Sequence, residues 1–412
     1  MEDGASQLGE RSPNPCTFKT DEGVQLVMPR AARLRRRPDI LMVGLRTYGR
    51  GQGGIEAHVE QLAKGLDDAA FAVEVVVRTP YSGKGETTHG RSIRVVPIWS
   101  PRGRSTEAII HTLISIFYAA WRRPRVVHIH AVGPSLTIPI ARALGLRIVF
   151  THHGEDYNRE KWGWFARKAL RLGEFFGAHL AHERICVSPS LAKELSSKYD
   201  VLFRYIPNGV KDLVAPASSD ILKALGLERR RYILHVGRIV PEKRQSDIIE
   251  AISELEIPDV KVVLVGSPDH ESEYSRLITA QAVKFPNVVL AGFQSGPALA
   301  ELYSNAALFV LPSSHEGLPI ALLEAMAYGC HVIASDITAN LNLGLPRACY
   351  FPVASIKDLA DKINAVLTHE GKSQVVDWSR LLESFNWDDI ATRTIEVYQG
   401  AARHLIQEHA TG

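Results

Sequence analysis

The sequence predicts an α/β fold in which two separate series of strands and helices each build a parallel sheet. Short apolar runs of strand length alternate with longer segments of helical periodicity, which is typical of parallel sheets covered by helices. The pattern begins at residue 39, fades over residues 211–230 and begins again at residue 232. Because 412 residues are also enough for two hydrophobic cores, we predict two domains.

Composition excludes several other classes of protein. Hydrophobic residues make up 45% of the chain and charged residues 23%, the proportions of an ordinary globular protein. No window approaches the ~20 consecutive apolar residues of a membrane-spanning helix, and the polar, acidic first residues are unlike a signal peptide. Four scattered cysteines without a C-x-x-C pair favour reduced thiols over a disulfide framework or a zinc site. We therefore expect a cytoplasmic protein.

The net charge is only +3, but basic residues are concentrated in the first half of the chain. Solvated surface charge is one interpretation, and a surface that faces anionic lipid or a diphosphate-linked acceptor is the other. Nucleic acid is not expected as a partner, because no recognition motif accompanies the charge. The apolar segment Ala108–Trp121 is interpreted as a core helix, with a membrane-surface helix as the alternative. The basic clusters are Arg30, Arg33, Arg35, Arg36 and Arg37; Arg122, Arg123 and Arg125; and Arg159, Lys161, Arg167, Lys168 and Arg171.

A glycine-rich loop follows the first predicted strand, Asp39–Leu45. Gly49, Gly51 and Gly54 match the G-x-G-x-x-G spacing of dinucleotide-binding loops, and a helix pattern follows them. The loop is longer than the tight dinucleotide turn, and Glu74 falls inside the next strand instead of at its end. Both interpretations share one physical element, which is a glycine loop whose backbone can approach a diphosphate closely.

Polar residues also follow the predicted strand Ile148–Phe150, at the position where open α/β sheets bind ligands. His152, His153 and Asp156 are candidates for a site, and capping of the next helix is the alternative for this loop. Trp162, in a basic and aromatic stretch, is a candidate for contact with an anionic acceptor or a sugar ring. His128 and His130, which alternate on the strand Val126–His130, are interpreted as core or edge residues.

In the second series, two strand ends carry charged residues. Arg238 and Lys243 follow the strand Tyr232–Val236, and Glu316 follows the apolar run Ala307–Leu311. A helix is predicted to begin at Pro319 and to end at a left-handed Gly329, with Glu324 inside it. The helix places Ile320, Leu323, Met326 and Ala327 on one face. Its first turn offers free N–H groups to an anion.

Four segments resemble motifs of the retaining glycosyltransferases of the GT-B group, family four, and they occur in that family's order. These are the E-x7-E element from Glu316 to Glu324, the G-G-x-E loop Gly53–Glu56, the T-x-H-G loop Thr151–Gly154 and the G-R-x4-K loop Gly237–Lys243. The chain departs from the family pattern at Lys211, where an Asp is usual, and at Arg244, where a Gly is usual.

The resemblance implies a GT-B fold, with two facing Rossmann-like domains and a cleft between them. The implied organisation is a loosely attached or disordered leader over residues 1–37, an acceptor domain over 38–208, a nucleotide-sugar donor domain over 209–385, and a helix over 386–412 that returns to the first domain. The implied reaction moves a hexose from a UDP-sugar or GDP-mannose to a hydroxyl with retention of configuration. The implied acceptor is a saccharide or a lipid-linked glycan in cell-surface polysaccharide or lipopolysaccharide synthesis.

Roles for individual residues also come from the resemblance. Arg238 and Lys243 reach the donor diphosphate, together with backbone groups near Gly53, Gly54, Gly317 and Leu318. Glu324 binds the ribose, Glu316 orients the sugar, and His153 lies beside the sugar. Backbone groups near Phe293 and Gln294 cover the nucleobase, and Glu56, Asp156 and Trp162 face the acceptor. The chain has no D-x-D triplet, so no metal or other cofactor is expected beyond the nucleotide-sugar co-substrate. Peripheral contact with an anionic membrane at the inner face of the plasma membrane is a further expectation.

Two alternatives belong to other functional classes. The first is a Rossmann-type nucleotide- or NAD-binding oxidoreductase, which requires a true fingerprint and an acidic strand end. The second is a catalytically inactive GT-B module that binds partners. The presence of His153, Arg238, Lys243, Glu316 and Glu324 together argues against an inactive module.

Overall fold

Two parallel sheets with helices packed on both faces form the framework of the protein. The computed structural model describes residues 37–49, 53–83, 85–101, 107–154, 163–210, 220–255, 257, 259–268, 271–368 and 375–408, with side chains through residue 402. Both sheets belong to one unit, residues 38–412. Except for Arg37, the predicted leader lies outside the described residues.

The elements are numbered in chain order. The strands are β1 Ile40–Val43, β2 Val73–Arg78, β3 Thr87–His89, β4 Ile93–Ile98, β5 Val126–His130, β6 Ile148–His152, β7 Glu183–Cys186, β8 Arg204–Tyr205, β9 Tyr232–Val236, β10 Lys261–Val265, β11 Val288–Gly292, β12 Leu308–Leu311, β13 Val332–Ser335 and β14 Tyr350–Phe351. The α-helices are α1 Gly54–Asp68, α2 Thr79–Ser82, α3 Glu107–Arg122, α4 Ile138–Ala143, α5 Trp164–Leu180, α6 Pro189–Tyr199, α7 Ile221–Ala224, α8 Gln245–Ser253, α9 Glu273–Lys284, α10 Gly296–Asn305, α11 Ile320–Ala327, α12 Thr338–Leu341, α13 Ile356–Thr368, α14 Ser379–Leu382 and α15 Trp387–Glu408.

The first sheet has eight strands in the order β3-β4-β2-β1-β5-β6-β7-β8. All neighbouring pairs are parallel except β3 with β4. The chain moves outward from β1 to β4 and then returns to β5, so the strand order reverses between β1 and β5. A crevice forms beyond the carboxyl ends of the strands at such a reversal.

The second sheet has six strands in the order β11-β10-β9-β12-β13-β14, and all pairs are parallel. Here the order reverses between β9 and β12. Together the two sheets confirm the predicted fold class.

Burial on both faces explains why these strands are continuous apolar runs. In β1, Leu41 and Val43 pack into one core cluster, while Ile40 and Met42 pack into the cluster on the opposite face. The second sheet is built in the same way, with Leu234 on one face of β9 and Ile233 on the other.

The last helix packs on the first sheet's helix α1 and on β5, β6 and β7. A β-carbon at Gly65 would lie 2.8 Å from the Ala391 Cβ, so the two helices approach at a position without a side chain. The start of α15 meets the end of the first series, because a β-carbon at Gly209 would lie 2.8 Å from the Trp387 ring. The chain therefore returns to the first sheet after completing the second.

Local departures from the sequence predictions have physical reasons. The helix predicted over Ser135–Leu144 is divided into a 3-10 turn, Pro134–Thr137, and α4, because Pro139 lacks the N–H that a continuous helix would need at that position. Pro319 caps α11 instead of starting it, and the buried side chains of that helix are Leu322, Leu323, Ala325 and Met326. Gly329 has the predicted left-handed conformation, with φ of +68°. Within the described part of the chain, no helix has both the length and the apolar character needed to cross a bilayer.

Candidate active site

The loops with the predicted site residues lie at or beside the two points where strand order reverses. In the first sheet, the glycine-rich loop follows β1 and the His153 loop follows β6, the neighbour of β5. In the second sheet, Arg238 and Lys243 follow β9, and Glu316 follows β12. Because the strands are parallel, all four loops lie at the carboxyl edges of their sheets.

A backbone contact joins the loops from opposite sheets. A β-carbon on Gly154 would lie 3.1 Å from the Gly317 Cα, and a β-carbon on Gly317 would lie 1.8 Å from the His153 carbonyl oxygen. Gly154 also has φ of +128°, a conformation that residues with side chains rarely adopt. Only glycine at both positions allows the two loops to approach this closely, and the contact brings His153 to the loop of Glu316.

An ion pair connects the two loops of the second sheet. Lys243 Nζ lies 2.5 Å from Glu316 Oε1, and both side chains are largely buried, with 18% and 10% exposure. The Ser314 N–H also donates to the Glu242 carbonyl at 2.9 Å, and the Gln245 side chain donates to the Arg238 carbonyl at 2.8 Å. The predicted diphosphate and sugar residues are therefore connected by an ion pair and by hydrogen bonds between their loops.

The imidazole of His153 lies next to two other imidazoles, those of His58 and His130. His153 Nε2 lies 3.1 Å from His130 Nδ1, and the His58 ring stands edge-on to His153 with ring centres 4.9 Å apart. The His58 Nδ1–H donates to Asn208 Oδ1 at 2.7 Å. Burial, with repulsion from neighbouring imidazoles, lowers the pKa of His130 and His153 well below the usual value. Burial lowers the pKa of His58 to about 4, so the cluster is neutral at pH 7.

The same three side chains are the described residues that can hold a metal ion. One ring nitrogen from each of His58, His130 and His153 lies within 4.8 Å of the others. Neutral imidazoles are the form that binds metals, and the His58–Asn208 hydrogen bond leaves His58 Nε2 free to act as a ligand. His130 Nε2 is buried without a hydrogen-bond partner among the described residues.

His152 and His153 have different surroundings although they are adjacent. His152 is fully buried, and its Nε2–H donates to Glu174 Oε2 at 3.0 Å. Its Nδ1 accepts the Gly154 N–H at 3.2 Å. His152 therefore fixes the backbone of the loop from below, while the half-buried His153 lies at the surface of the crevice.

Glu174 anchors this arrangement. Lys198 Nζ donates to Glu174 Oε1 at 2.6 Å and the Tyr199 hydroxyl donates at 2.7 Å. Burial alone raises the pKa of the Glu174 carboxyl, but the hydrogen bonds from His152, Lys198 and Tyr199 outweigh burial and lower that pKa to about 2. A buried carboxylate on α5 thus reaches the Gly154–Gly317 contact through one imidazole.

The Glu56 carboxylate contacts described residues on both sides of the glycine-rich loop. Glu56 Oε1 accepts the Arg46 N–H at 3.4 Å, and a β-carbon on Gly53 would lie 2.0 Å from Glu56 Oε2. A β-carbon on Gly54 would lie 3.7 Å from Ile320 Cδ1 in the second sheet's helix α11. The loop of Gly53 and Gly54 therefore meets the start of the E-x7-E helix, and Glu56 supports the loop itself.

Glu324 lies in a small cleft between α1, α11 and the start of α15. The Tyr303 hydroxyl donates to Glu324 Oε2 at 3.0 Å, which orients the carboxylate. The cleft is lined by Ala57, Gln61, Gly209, Ile320, Glu324 and Trp387. Residues from both halves of the chain therefore surround this carboxylate.

The remaining predicted residues are placed less closely. Phe293 and Gln294 follow β11, which β10 separates from β9, and Phe293 is 40% exposed. Leu318 is buried next to Gly317. Asp156 and Trp162 lie outside the described residues.

The geometry argues against the dinucleotide-binding interpretation. Glu74 lies in the middle of β2, with its carboxylate paired to Arg94 at 2.9 Å and to Arg122 at 2.5 Å. A ribose-binding acid would have to stand free at the end of that strand. Glu74 instead ties β2 to β4 and to α3.

Sequence reasoning missed the residues that support His153. His58, Asn208 and Glu174 contact the loop or its imidazoles from distant positions in the chain. Two signals were available. Glu174 is a lone acid on the inner face of an otherwise basic helix, and His58 falls on the buried side of α1.

We predict that Glu174→Gln loosens the His153 loop without unfolding the protein. Glutamine keeps the volume but removes the charge that Lys198 and His152 pair with, so we expect a loss of about 1–3 kcal/mol in unfolding free energy. Denaturant unfolding measures the loss, and the NMR chemical shifts of the His152 imidazole should change because its hydrogen-bond partner has lost its charge. Glu183→Gln, a partly exposed acid paired with Arg204, is the control; an unchanged His152 signal in the Glu174 variant would contradict the prediction.

Two family models match the chain, one in each half. The model described as Glycosyltransferase Family 4 matches residues 52–212, and the model described as Glycosyl transferases group 1 matches residues 218–378. The first match covers the strands of the first sheet except β1, and the second match covers all strands of the second sheet.

Curated relatives include enzymes that act on lipid-linked acceptors. An uncharacterized glycosyltransferase of Methanocaldococcus jannaschii is 28% identical over 253 residues, which are 56% of this chain and 63% of the relative. The UDP-Gal:alpha-D-GlcNAc-diphosphoundecaprenol alpha-1,3-galactosyltransferase of Escherichia coli is 30% identical over 234 residues, which are 52% of this chain and 58% of that enzyme. The chain thus matches about three-fifths of the length of these two relatives.

Solved structures share the fold at low identity. Sucrose-phosphate synthase of Thermosynechococcus elongatus superposes with a TM-score of 0.74 at 22% identity, covering 92% of this chain and 100% of that one. HepE of Anabaena, solved with UDP and glucose, superposes with a TM-score of 0.66 at 19% identity, covering 89% of this chain and 99% of that one. With both halves matched by family models and the fold shared, the chain belongs to the family-four glycosyltransferases of the GT-B type.

Proposed function

We propose that the protein transfers a hexose from a nucleotide-diphosphate sugar to a hydroxyl of a saccharide or lipid-linked glycan, with retention of configuration. The observation that carries the proposal is the Gly154–Gly317 contact, which brings His153 to the loop of Glu316, and Glu316 is ion-paired with Lys243. The UDP and glucose in the solved complex of HepE, and the UDP-Gal in the name of the Escherichia coli galactosyltransferase, support the choice of donor class.

The second sheet supplies the groups for the donor diphosphate. Negative charge develops on the departing phosphate, so cations and N–H groups that are already in place stabilise the transition state. Lys243 is held by Glu316, and Arg238 lies on the same loop. The N–H groups of Gly317 and Leu318 precede α11, where the helix dipole also favours an anion.

Glu316 and Glu324 are proposed to bind hydroxyl groups at the two ends of the donor. Carboxylates accept strong hydrogen bonds from hydroxyls. Glu316, next to His153 across the crevice, would hold the sugar, and Glu324, oriented by Tyr303, would hold the ribose. The neutral His153 would contact the sugar as a hydrogen-bonding group and not as a cation.

The transfer itself exchanges two bonds at the anomeric carbon. The bond to the diphosphate oxygen breaks, and the bond to the acceptor oxygen forms on the same face. The diphosphate leaves with the bonding electron pair and gains a charge, so its oxygen is a base at the correct place for the acceptor's hydroxyl proton. No step requires a nucleophilic carboxylate or a metal ion.

The acceptor is the least constrained partner. Glu56 borders the glycine-rich loop, and Asp156 and Trp162 remain predicted acceptor residues. The name of the Escherichia coli relative gives a diphosphoundecaprenol-linked sugar as its acceptor. By this analogy we propose a role in cell-surface polysaccharide or lipopolysaccharide synthesis, at the inner face of the membrane.

We predict that Gly317→Ala separates the crevice walls. The added methyl would lie 1.8 Å from the His153 carbonyl oxygen, so the loops must move apart. Because a displacement of about 1 Å at a reacting centre costs about 100-fold in rate, we expect a loss of that size in transfer. Gly85→Ala, where a methyl meets nothing within 4 Å, is the control. Full activity of the Gly317 variant would contradict the proposed crevice.

We predict that Glu316 and Lys243 have separable roles. Glu316→Ala should lower turnover about 100-fold, because sugar orientation is lost, while nucleotide affinity stays measurable. Lys243→Ala should instead weaken nucleotide-diphosphate binding about tenfold or more, through loss of a charge-assisted contact. Calorimetric titration and steady-state kinetics separate the two effects.

Glu228→Ala, which changes a surface carboxylate at 78% exposure, is the matched control for both variants. Loss of nucleotide binding in the Glu316 variant would show that its assigned role is wrong.

A donor screen tests the reaction class. UDP, GDP, ADP and NAD are compared by thermal shift, and hydrolysis of the matching sugar nucleotides is then measured, since a ligand that binds the folded state raises its stability. We expect a nucleoside diphosphate to stabilise the protein and NAD to have no effect. Stabilisation by NAD alone would favour the oxidoreductase, and binding without turnover would favour an inactive module.

We predict that transfer persists in the presence of EDTA. Arg238, Lys243 and the backbone N–H groups already supply positive charge at the diphosphate, so no ion is needed there. Activity that is lost with EDTA and restored by Zn²⁺ would contradict this and would implicate the cluster of His58, His130 and His153.

A further inference from the structure

The outer side of helices α3, α4 and α5 presents large apolar side chains to solvent. These three helices pack in sequence against one face of the first sheet, where Ile116, Ile138 and Leu170 contribute to one core cluster. Their opposite, outward side is exposed. Its large side chains include Phe117, Trp121, Ile140, Phe165, Leu172 and Phe175, and we call this surface the outer apolar face.

Helix α3 lacks the polar outer side of an ordinary surface helix. Residues 108–121 contain no charged side chain, although Phe117 is 55% exposed and Trp121 is 75% exposed. A helix that packs on a core normally turns charged residues to water. The core-helix interpretation therefore accounts for only one side of α3.

Charges around the outer apolar face are basic. Exposed Arg123 follows the apolar run, and exposed Arg167 and Lys168 accompany Phe165. Arg122 and Arg125 are paired with Glu74 and Asp39. Lys168 Nζ lies over the Trp164 ring at 3.9 Å. The acids of α3 and α5, Glu107 and Glu174, are both buried in ion pairs, with Arg78 and Lys198. The outer apolar face therefore meets solvent with cations and aromatic rings but without a carboxylate of its own helices.

We propose that the outer apolar face docks on an anionic lipid surface. Exposed aromatic and aliphatic side chains flanked by Lys and Arg are the composition of helices that lie in the bilayer interface. Tryptophan favours that boundary, and basic residues are attracted to anionic headgroups. At 16 and 17 residues, α3 and α5 are about 24–26 Å long, which suits helices lying along a surface.

Docking on this face places the crevice at the membrane. A helix that follows a parallel strand runs back along the sheet, so α5 begins at the same edge as the His153 loop. Trp164 and Phe165 at its start are 60% and 81% exposed. The explanation of how a lipid-linked acceptor reaches the crevice rests on the proposed function. The proposed lipid contact does not rest on it.

Vesicle flotation tests the docking with the full chain. Phosphatidylcholine vesicles are compared with vesicles containing about 30% phosphatidylglycerol, at low and moderate salt. We expect binding to the anionic vesicles that weakens with salt, because headgroup attraction is screened. The double variant Phe117→Ser with Trp121→Ser should lower the partition coefficient at least tenfold.

Matched variants distinguish docking through the outer apolar face from nonspecific hydrophobic binding. Leu277→Ser with Val283→Ser changes two exposed apolar residues on α9 of the second sheet and should bind vesicles as the unmodified protein does. Arg167→Glu with Lys168→Glu should reduce binding to anionic vesicles only.

Three outcomes would overturn the proposal. The first is that the unmodified protein does not bind anionic vesicles, and the second is that the Phe117 and Trp121 double variant binds them equally well. The third is that light scattering shows an oligomeric unmodified protein and a monomeric double variant, which would make the face an interface between copies. Sugar-nucleotide hydrolysis should be equal in the double variant and the unmodified protein. A failed flotation with intact hydrolysis therefore rejects the lipid surface alone, and absent hydrolysis rejects the proposed function alone.

Discussion

The backbone contact between Gly154 and Gly317 is the constraint on which the candidate site depends. Each sheet places loops at its carboxyl edge by parallel topology, but a crevice with two walls exists only where those loops meet. A methyl on either glycine would fill the space between the walls. The contact therefore makes one site from loops whose sheets have separate cores.

The two walls of the crevice differ in electrostatic character. On the first sheet, buried imidazoles are neutral, because desolvation disfavours their charged form. On the second sheet, Lys243 and Glu316 form an ion pair in a largely buried place. A polar but uncharged wall suits a sugar, and a charged wall suits a diphosphate.

Buried polar groups at the site are stabilised by specific partners. Glu174 receives hydrogen bonds from three side chains, and His128 is bonded by Thr151 at 2.6 Å and Tyr398 at 2.8 Å. Such groups would be costly to bury alone. The bond from Tyr398 comes from α15, so the returning helix also satisfies the core beneath the His153 loop.

The sequence by itself determined the strands, the class of fold and the motifs. The bounds of Val126–His130 and Tyr232–Val236 match the prediction, because strands buried on both faces must be continuous apolar runs. The helical spacing of Leu359, Ile363 and Leu367 also indicates helix α13, although this helix was not predicted. Tertiary structure alone decided that Gly154 meets Gly317, that Glu174 holds His152 and that Asn208 holds His58. Local patterns specify which face of an element is buried, but they carry no information about which distant residue fills the space opposite.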